Sequence, residues 1–209
     1  MLATISSIQR LLDEPCFDLL EAGAAEAQAN LRLLVQLLNS PAGIGSTAVP
    51  TTQKAKAIAE ATNQRLVHTL VTGLDREDIA ALASALYAIT RSVAQFWERY
   101  SLAADRLPGV EFARVAEAVQ RAAGVVAAMV NQLRHFDRAL PLRAFNEQLS
   151  AAEEEAGRLA REALRRLYGD SADPLQVLML KDLCGRLDQI LGDCVRAAQL
   201  AGAIGLKGL

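Results

Sequence analysis

An all-α bundle of six antiparallel helices is predicted from three features of this 209-residue sequence. Apolar residues recur at alternating steps of three and four in six separate runs, and short connections carrying Pro, Gly or Asp divide those runs. No stretch alternates apolar and polar residues as a half-buried strand would.

The first run is Phe17, Leu20, Ala24, Ala27, Leu31, Leu34 and Leu38, one face of a helix. Pro15 suits a first turn with Asp13 or Glu14 ahead of it, and Asn39, Pro41, Gly43 and Gly45 end the run, so helix one is expected over about 15 to 39. Helix two is expected from Thr51 or Thr52 to near Gly73, with Ala55, Ile58, Thr62, Leu66 and Leu70 on one side, the weakest stripe of the six. Asp75 then reads as an N-cap, with Asp78 three residues on. Its side chain can accept from free amides while acidic groups favour the positive helix end.

Helix three follows with Ile79, Leu82, Leu86, Ile89, Val93, Phe96 and Tyr100, and Pro108-Gly109 breaks the chain. Helix four carries Phe112, Val115, Val119, Ala122, Val126, Met129, Leu133 and Phe136 before Pro141. Helix five is expected from Leu142 to Tyr168, with Gly169 as a left-handed stop. Asp173 and Pro174 start helix six, whose stripe runs from Val177 and Leu180 through Cys184, Leu187, Leu191 and Cys194 to Ala198 and Ala201. Helices of about 20 to 28 residues with short turns must fold back on one another, and helix content is expected near ~70%. The 2-to-3 and 5-to-6 turns both lead into an Asp-headed helix. The chain is therefore read as one domain over 1–209 holding a duplicated three-helix unit, repeat one about 15–103 and repeat two about 110–205.

Apolar residues make up 52% of the chain and aromatic ones 4%, a balance that favours helices packed through small side chains over a large aromatic ligand pocket. Several Ala-rich faces with so few aromatics also predict homo-oligomeric packing. With 22 basic and 24 acidic residues there is no overall drive toward nucleic acid or anionic lipid. No uninterrupted apolar run approaches the ~20 residues of a membrane span, and the opening residues lack a basic stretch followed by an apolar signal core. The expectation is a cytoplasmic protein without direct membrane insertion. Cys16, Cys184 and Cys194 are read as small buried hydrophobes. The last two lie ten residues apart on one expected helix, about 15 Å by helical rise, too far to bridge.

The segment Asp75-Arg76-Glu77-Asp78-Ile79-Ala80-Ala81-Leu82-Ala83-Ser84-Ala85-Leu86 is similar to the most recognisable segment of the PhoU-like family that accompanies Pit-type phosphate permeases. Phe17-Asp18-Leu19-Leu20-Glu21, Arg161-Glu162-Ala163-Leu164, Asp173-Pro174 and Lys181-Asp182-Leu183 followed by Cys194 fall in the same order as in that family. The resemblance implies two three-helix repeats whose surface holds carboxylates four residues apart that bind metal ions. Residues i and i+4 share a helix face, so such a pair can offer several oxygens to one hard cation.

Counted from Asp75, the helix-two pair falls at Thr52 and Lys56 and the helix-three pair at Tyr87 and Arg91. The helix-five pair falls at Glu153 and Gly157 and the helix-six pair at Asp188 and Gly192. Only Glu153 and Asp188 keep a carboxylate, while Lys56 and Arg91 place positive charge where a cation would sit. The expectation is a family fold without the metal site and without another cofactor. Lys56 and Arg91 are left as salt-bridge or anion positions, Glu60 one turn from Lys56 being the simple partner.

Other groups have plainer readings. Glu14 and Asp18 are expected to stabilise the start of helix one. His68 and His135 lack the Glu three residues earlier that di-iron bundles require. Glu154-Arg158 and Glu162-Arg166 are expected ion pairs on a solvated face, and Trp97 and Tyr100 are expected to be buried aromatics. No phosphate loop, nucleophile elbow or paired Cys motif is present. The sequence thus predicts a non-enzymatic accessory or regulator of phosphate transport that contacts a membrane phosphate permease. A structural oligomerisation module and a carboxylate-bridged metalloprotein are the alternatives.

Overall fold

The computed structural model describes residues 2–40, 48–68, 75–107, 110–135, 141–167 and 173–207. The described residues form six α-helices: α1 (Leu2–Asn39), α2 (Gln53–His68), α3 (Arg76–Ala103), α4 (Phe112–Gln132), α5 (Leu142–Leu167) and α6 (Pro174–Lys207). Among the described residues 91% are helical and none is in a strand. The expected Leu70, Phe136, Tyr168 and Gly169 positions lie outside the described residues.

The helix content exceeds the expected value chiefly because α1 begins at Leu2, not near residue 15, with Pro15 inside it. The apolar period supplies the reason, since Ile5, Ile8, Leu12 and Cys16 continue it through the proline. Proline's fixed φ is itself helical, and its missing N–H removes one bond of the ladder. Helix lengths vary widely: α1 has 38 residues against 21 for α4, and α2 has 16 against 26 for α5.

Helix starts follow the expected chemistry. Asp75 accepts from the Glu77 amide at 3.0 Å, and Asp173 from the Leu175 amide at 3.0 Å with Pro174 in the first turn, where a missing N–H costs nothing.

Four helices close a ring, α1 on α3, α3 on α6, α6 on α4 and α4 on α1, while α2 packs against α1 and α3 and α5 against α4 and α6. Neighbours in the ring run antiparallel where polar links mark the register. Ser92 of α3 meets Asp193 of α6, and Asp78 at the head of α3 meets Lys207 at the tail of α6. Likewise Asn39 meets Glu117 across α1 and α4, whose opposite ends join through Glu21 and Arg134.

Small side chains make the ring tight. Ala116, Ala118, Val119 and Ala122 of α4 are fully buried, so the backbones of its three neighbours can approach closely. Leu31, Leu34, Ile79, Ile89 and Leu180 fill the remaining centre without exposure. The Thr90 hydroxyl is buried without a hydrogen-bond partner among the described residues.

One aspect differs from the sequence reading. Residues Arg76–Arg106, α3 with a following 3₁₀ turn, are long and apolar enough to cross a bilayer, with mean hydropathy 1.3 over the critical stretch. That apolarity serves the core, for α3 touches α1, α2 and α6, and 56% of the stretch is buried.

Candidate functional site

A shallow groove of about 560 Å³ lies between α3 and α6, lined by Ser92 and Gln95 on one side and by Leu178, Lys181, Asp182, Gly185, Arg186 and Gln189 on the other. At its edge the Ser92 hydroxyl donates across the antiparallel α3–α6 register to Asp193 at 2.6 Å. Gln189 donates to the same carboxylate at 3.0 Å, and Arg186 donates to Asp182 at 3.3 Å. Asp193 is therefore held by two donors, while Lys181 has no ion-pair or hydrogen-bond partner among the described residues. The groove offers cations, amides and one exposed leucine. Its one hydroxyl is committed to a carboxylate with no histidine beside it.

The residues singled out in sequence are spread over the outer surface. Lys56 is exposed and pairs with Glu60 at 3.7 Å, and Arg91 is exposed on α3. Neither carries the cost of a buried charge, so neither needs an anion for neutralisation. Glu153 on α5 and Asp188 on α6 are exposed, and each has no ion-pair or hydrogen-bond partner among the described residues. Beside Glu153, a side chain at Gly157 would press on Arg161, at 3.1 Å; at Gly192, beside Asp188, it would meet open space. No group of three or more His, Cys, Asp or Glu side chains converges to hold a metal among the described residues.

Two expected pairings are corrected. Glu14 and Asp18 do not serve the start of α1, which lies at Leu2, at least twelve residues upstream. They stand with Glu21 around Arg134 at the end of α4, where Glu21 takes two bonds at 2.9 and 3.0 Å and Glu14 lies at 3.6 Å. These contacts hold the guanidinium even more firmly charged than usual, hydrogen bonds from Glu21 and Asp18 being the main cause. On α5, Arg158 pairs with Glu155 at 2.8 Å and Glu162 at 3.3 Å in place of Glu154, and Glu162 also meets Arg166 at 2.6 Å.

Sequence reasoning missed a buried polar knot. Glu26 of α1 receives Lys54 at 2.7 Å and the Asn30 amide at 2.9 Å, and the Asn30 oxygen accepts from the Thr51 amide at 3.1 Å. The available signal was Glu26 and Asn30 interleaved, four residues apart, with the apolar stripe at Ala27 and Leu31. Trp97 is buried as expected, while Tyr100 is only partly buried; both stand in a cluster with Phe96 and Phe112 whose ring centres lie 5.7 to 6.1 Å apart.

Cys16, Cys184 and Cys194 are all buried and none forms a disulfide. Burial pushes the Cys184 thiol up to about 11 and the Cys194 thiol higher still, with Asp193 adding to the latter. Unfolded thiols ionise near ~8.5, so above that pH the unfolded chain binds fewer protons than the native one, and stability falls as pH rises. The urea midpoint is expected to hold up to about pH 8.5 and to decline as pH rises through about 11. Cys184→Ala/Cys194→Ala is expected to flatten that decline, and an equal decline in the double variant would assign it to other groups.

No protein-family model and no curated protein matches this sequence. Among solved structures, the chain is similar to a protein of Shewanella oneidensis MR-1 described as a PhoU-like phosphate regulatory protein. That match has 15% identity and a TM-score of 0.73, covering 90% of this chain and 98% of the other. A second crystal structure, of a PhoU-like protein from the same organism, matches at 15% identity and a TM-score of 0.74, over 91% of this chain and 96% of the other. The likeness establishes a PhoU-like helical fold.

Proposed function

We propose that this chain is a non-enzymatic accessory or regulatory protein of inorganic phosphate transport, working in the cytoplasm through contact with a membrane phosphate permease. The observation that carries the reading is the fold, shared over nine-tenths of the chain with a protein described as a phosphate regulator. Because one fold can serve many functions, the ordered sequence segments that resemble the same family are the second support. The ring of four helices with α2 and α5 in equivalent flanking places is what a duplicated three-helix unit would produce. A committed serine and an open groove support a role in recognition.

The test is co-purification of the tagged chain with a Pit-type phosphate permease in detergent, at low and at high phosphate. Retention of the permease, altered by phosphate, is the expected outcome. Failure to associate at either level would favour a structural helical module. The metalloprotein reading draws no support from Glu153 or Asp188, each exposed with a glycine where the second carboxylate would be.

A further inference from the structure

We infer that the outer face of α6 is a two-fold interface with a second copy of this chain, centred on Gly185. Leu178, Gly185 and Gly192 are spaced by seven residues and so lie on one stripe of the helix, about 21 Å from end to end by helical rise. The stripe is exposed throughout. Leu178 stands out with 65% of its surface in water, while a side chain at Gly185 or Gly192 would meet nothing within 4 Å. One end of the stripe is therefore an apolar knob, and its middle and far end are open notches.

Charge supplies the second, independent observation. Lys181 and Asp188 are both exposed and neither has an ion-pair or hydrogen-bond partner among the described residues. At 100° per residue they fall on the same flank of the stripe, one on each side of Gly185. On the opposite flank Asp182 is already joined to Arg186 at 3.3 Å.

An antiparallel copy related by a two-fold axis at Gly185 satisfies all of these features. Leu178 of each chain then lies over Gly192 of the other, and the two Gly185 backbones can approach closely. The axis keeps each flank on its own side, so Lys181 of each chain comes level, within one residue, with Asp188 of the other. Every contact away from the axis occurs twice, as a self-complementary two-fold interface requires. A parallel two-fold copy would instead set Leu178 against Leu178, leave both notches empty, and turn Lys181 toward the partner's opposite flank, where Asp182 is already joined to Arg186. The occupant that fits is thus this chain itself.

Light scattering and sedimentation equilibrium of the full chain across the micromolar range decide the matter. The expected mass is twice 22.4 kDa. Leu178→Asp, Gly192→Leu and Lys181→Asp are each expected to weaken self-association by about tenfold or more, and Lys181→Asp/Asp188→Lys is expected to restore it. Val67→Asp, at a 76% exposed position on α2, is expected to leave it unchanged. Far-UV circular dichroism checks that each variant is folded. A wild-type monomer throughout, a dimer indifferent to the α6 variants, or a charge swap that fails to rescue would overturn the inference.

Discussion

Phe96→Ala is expected to lower the stability of this protein by about 3–5 kcal/mol, the range for emptying a fully buried aromatic site. Phe96 has no exposed surface and stacks on Tyr100 at 6.0 Å, while its edge contact with Phe112 at 6.1 Å joins the end of α3 to the start of α4. With both rings anchored on rigid helices, the surroundings can collapse only partly, so the cavity term adds to the lost transfer free energy. Phe96→Leu keeps much of the volume and is expected to cost less than half as much. Urea unfolding followed by circular dichroism measures both. A loss below about 1 kcal/mol for alanine would show that α4 can close the gap.

Asn30→Leu is expected to cost about 2–4 kcal/mol, although it adds apolar volume to a helix that already buries Leu31 and Leu34. Asn30 is 5% exposed and joins the Glu26 carboxylate of its own helix to the Thr51 backbone amide at the entry to α2. Leucine would leave the Thr51 N–H without its acceptor and Glu26 with Lys54 alone. Removing one partner of a buried carboxylate costs far more than the intact pair contributes. Because the knot fixes the start of α2, amide exchange in residues 53–68 is expected to quicken more than exchange in α4. Uniform quickening would mean that the effect is global loss of stability rather than release of α2.

The polar knot and the aromatic cluster differ in how much of each could be read in advance. Phe96 and Tyr100 fall on the stripe of α3, so the full burial of the one and the partial burial of the other follow from spacing. Their meeting with Phe112, across a break at Pro108-Gly109, does not. Asn30 and Glu26 interrupt an apolar face, which marks them as buried polar groups, but their partners are Thr51, just before α2, and Lys54, in its first turn. Glu14 and Asp18 show the limit most clearly. Spacing four apart near Pro15 suggested a helix start, yet the apolar period through Ile5, Ile8 and Leu12 carries α1 past the proline and turns both acids toward Arg134.

By itself the sequence determined the six helices, their capping at Asp75 and Asp173, and the inward face of each, because the 3.6-residue period and local side-chain-to-backbone bonds act within a few residues of chain. The tertiary structure alone decided the ring order of α1, α3, α6 and α4, the α3–α6 groove, the Arg134 cluster and the bare stripe of α6. Those features depend on which helices meet and in what register. That choice is made by the summed packing of side chains far apart in sequence, where many small contacts compete and no short motif records the winner.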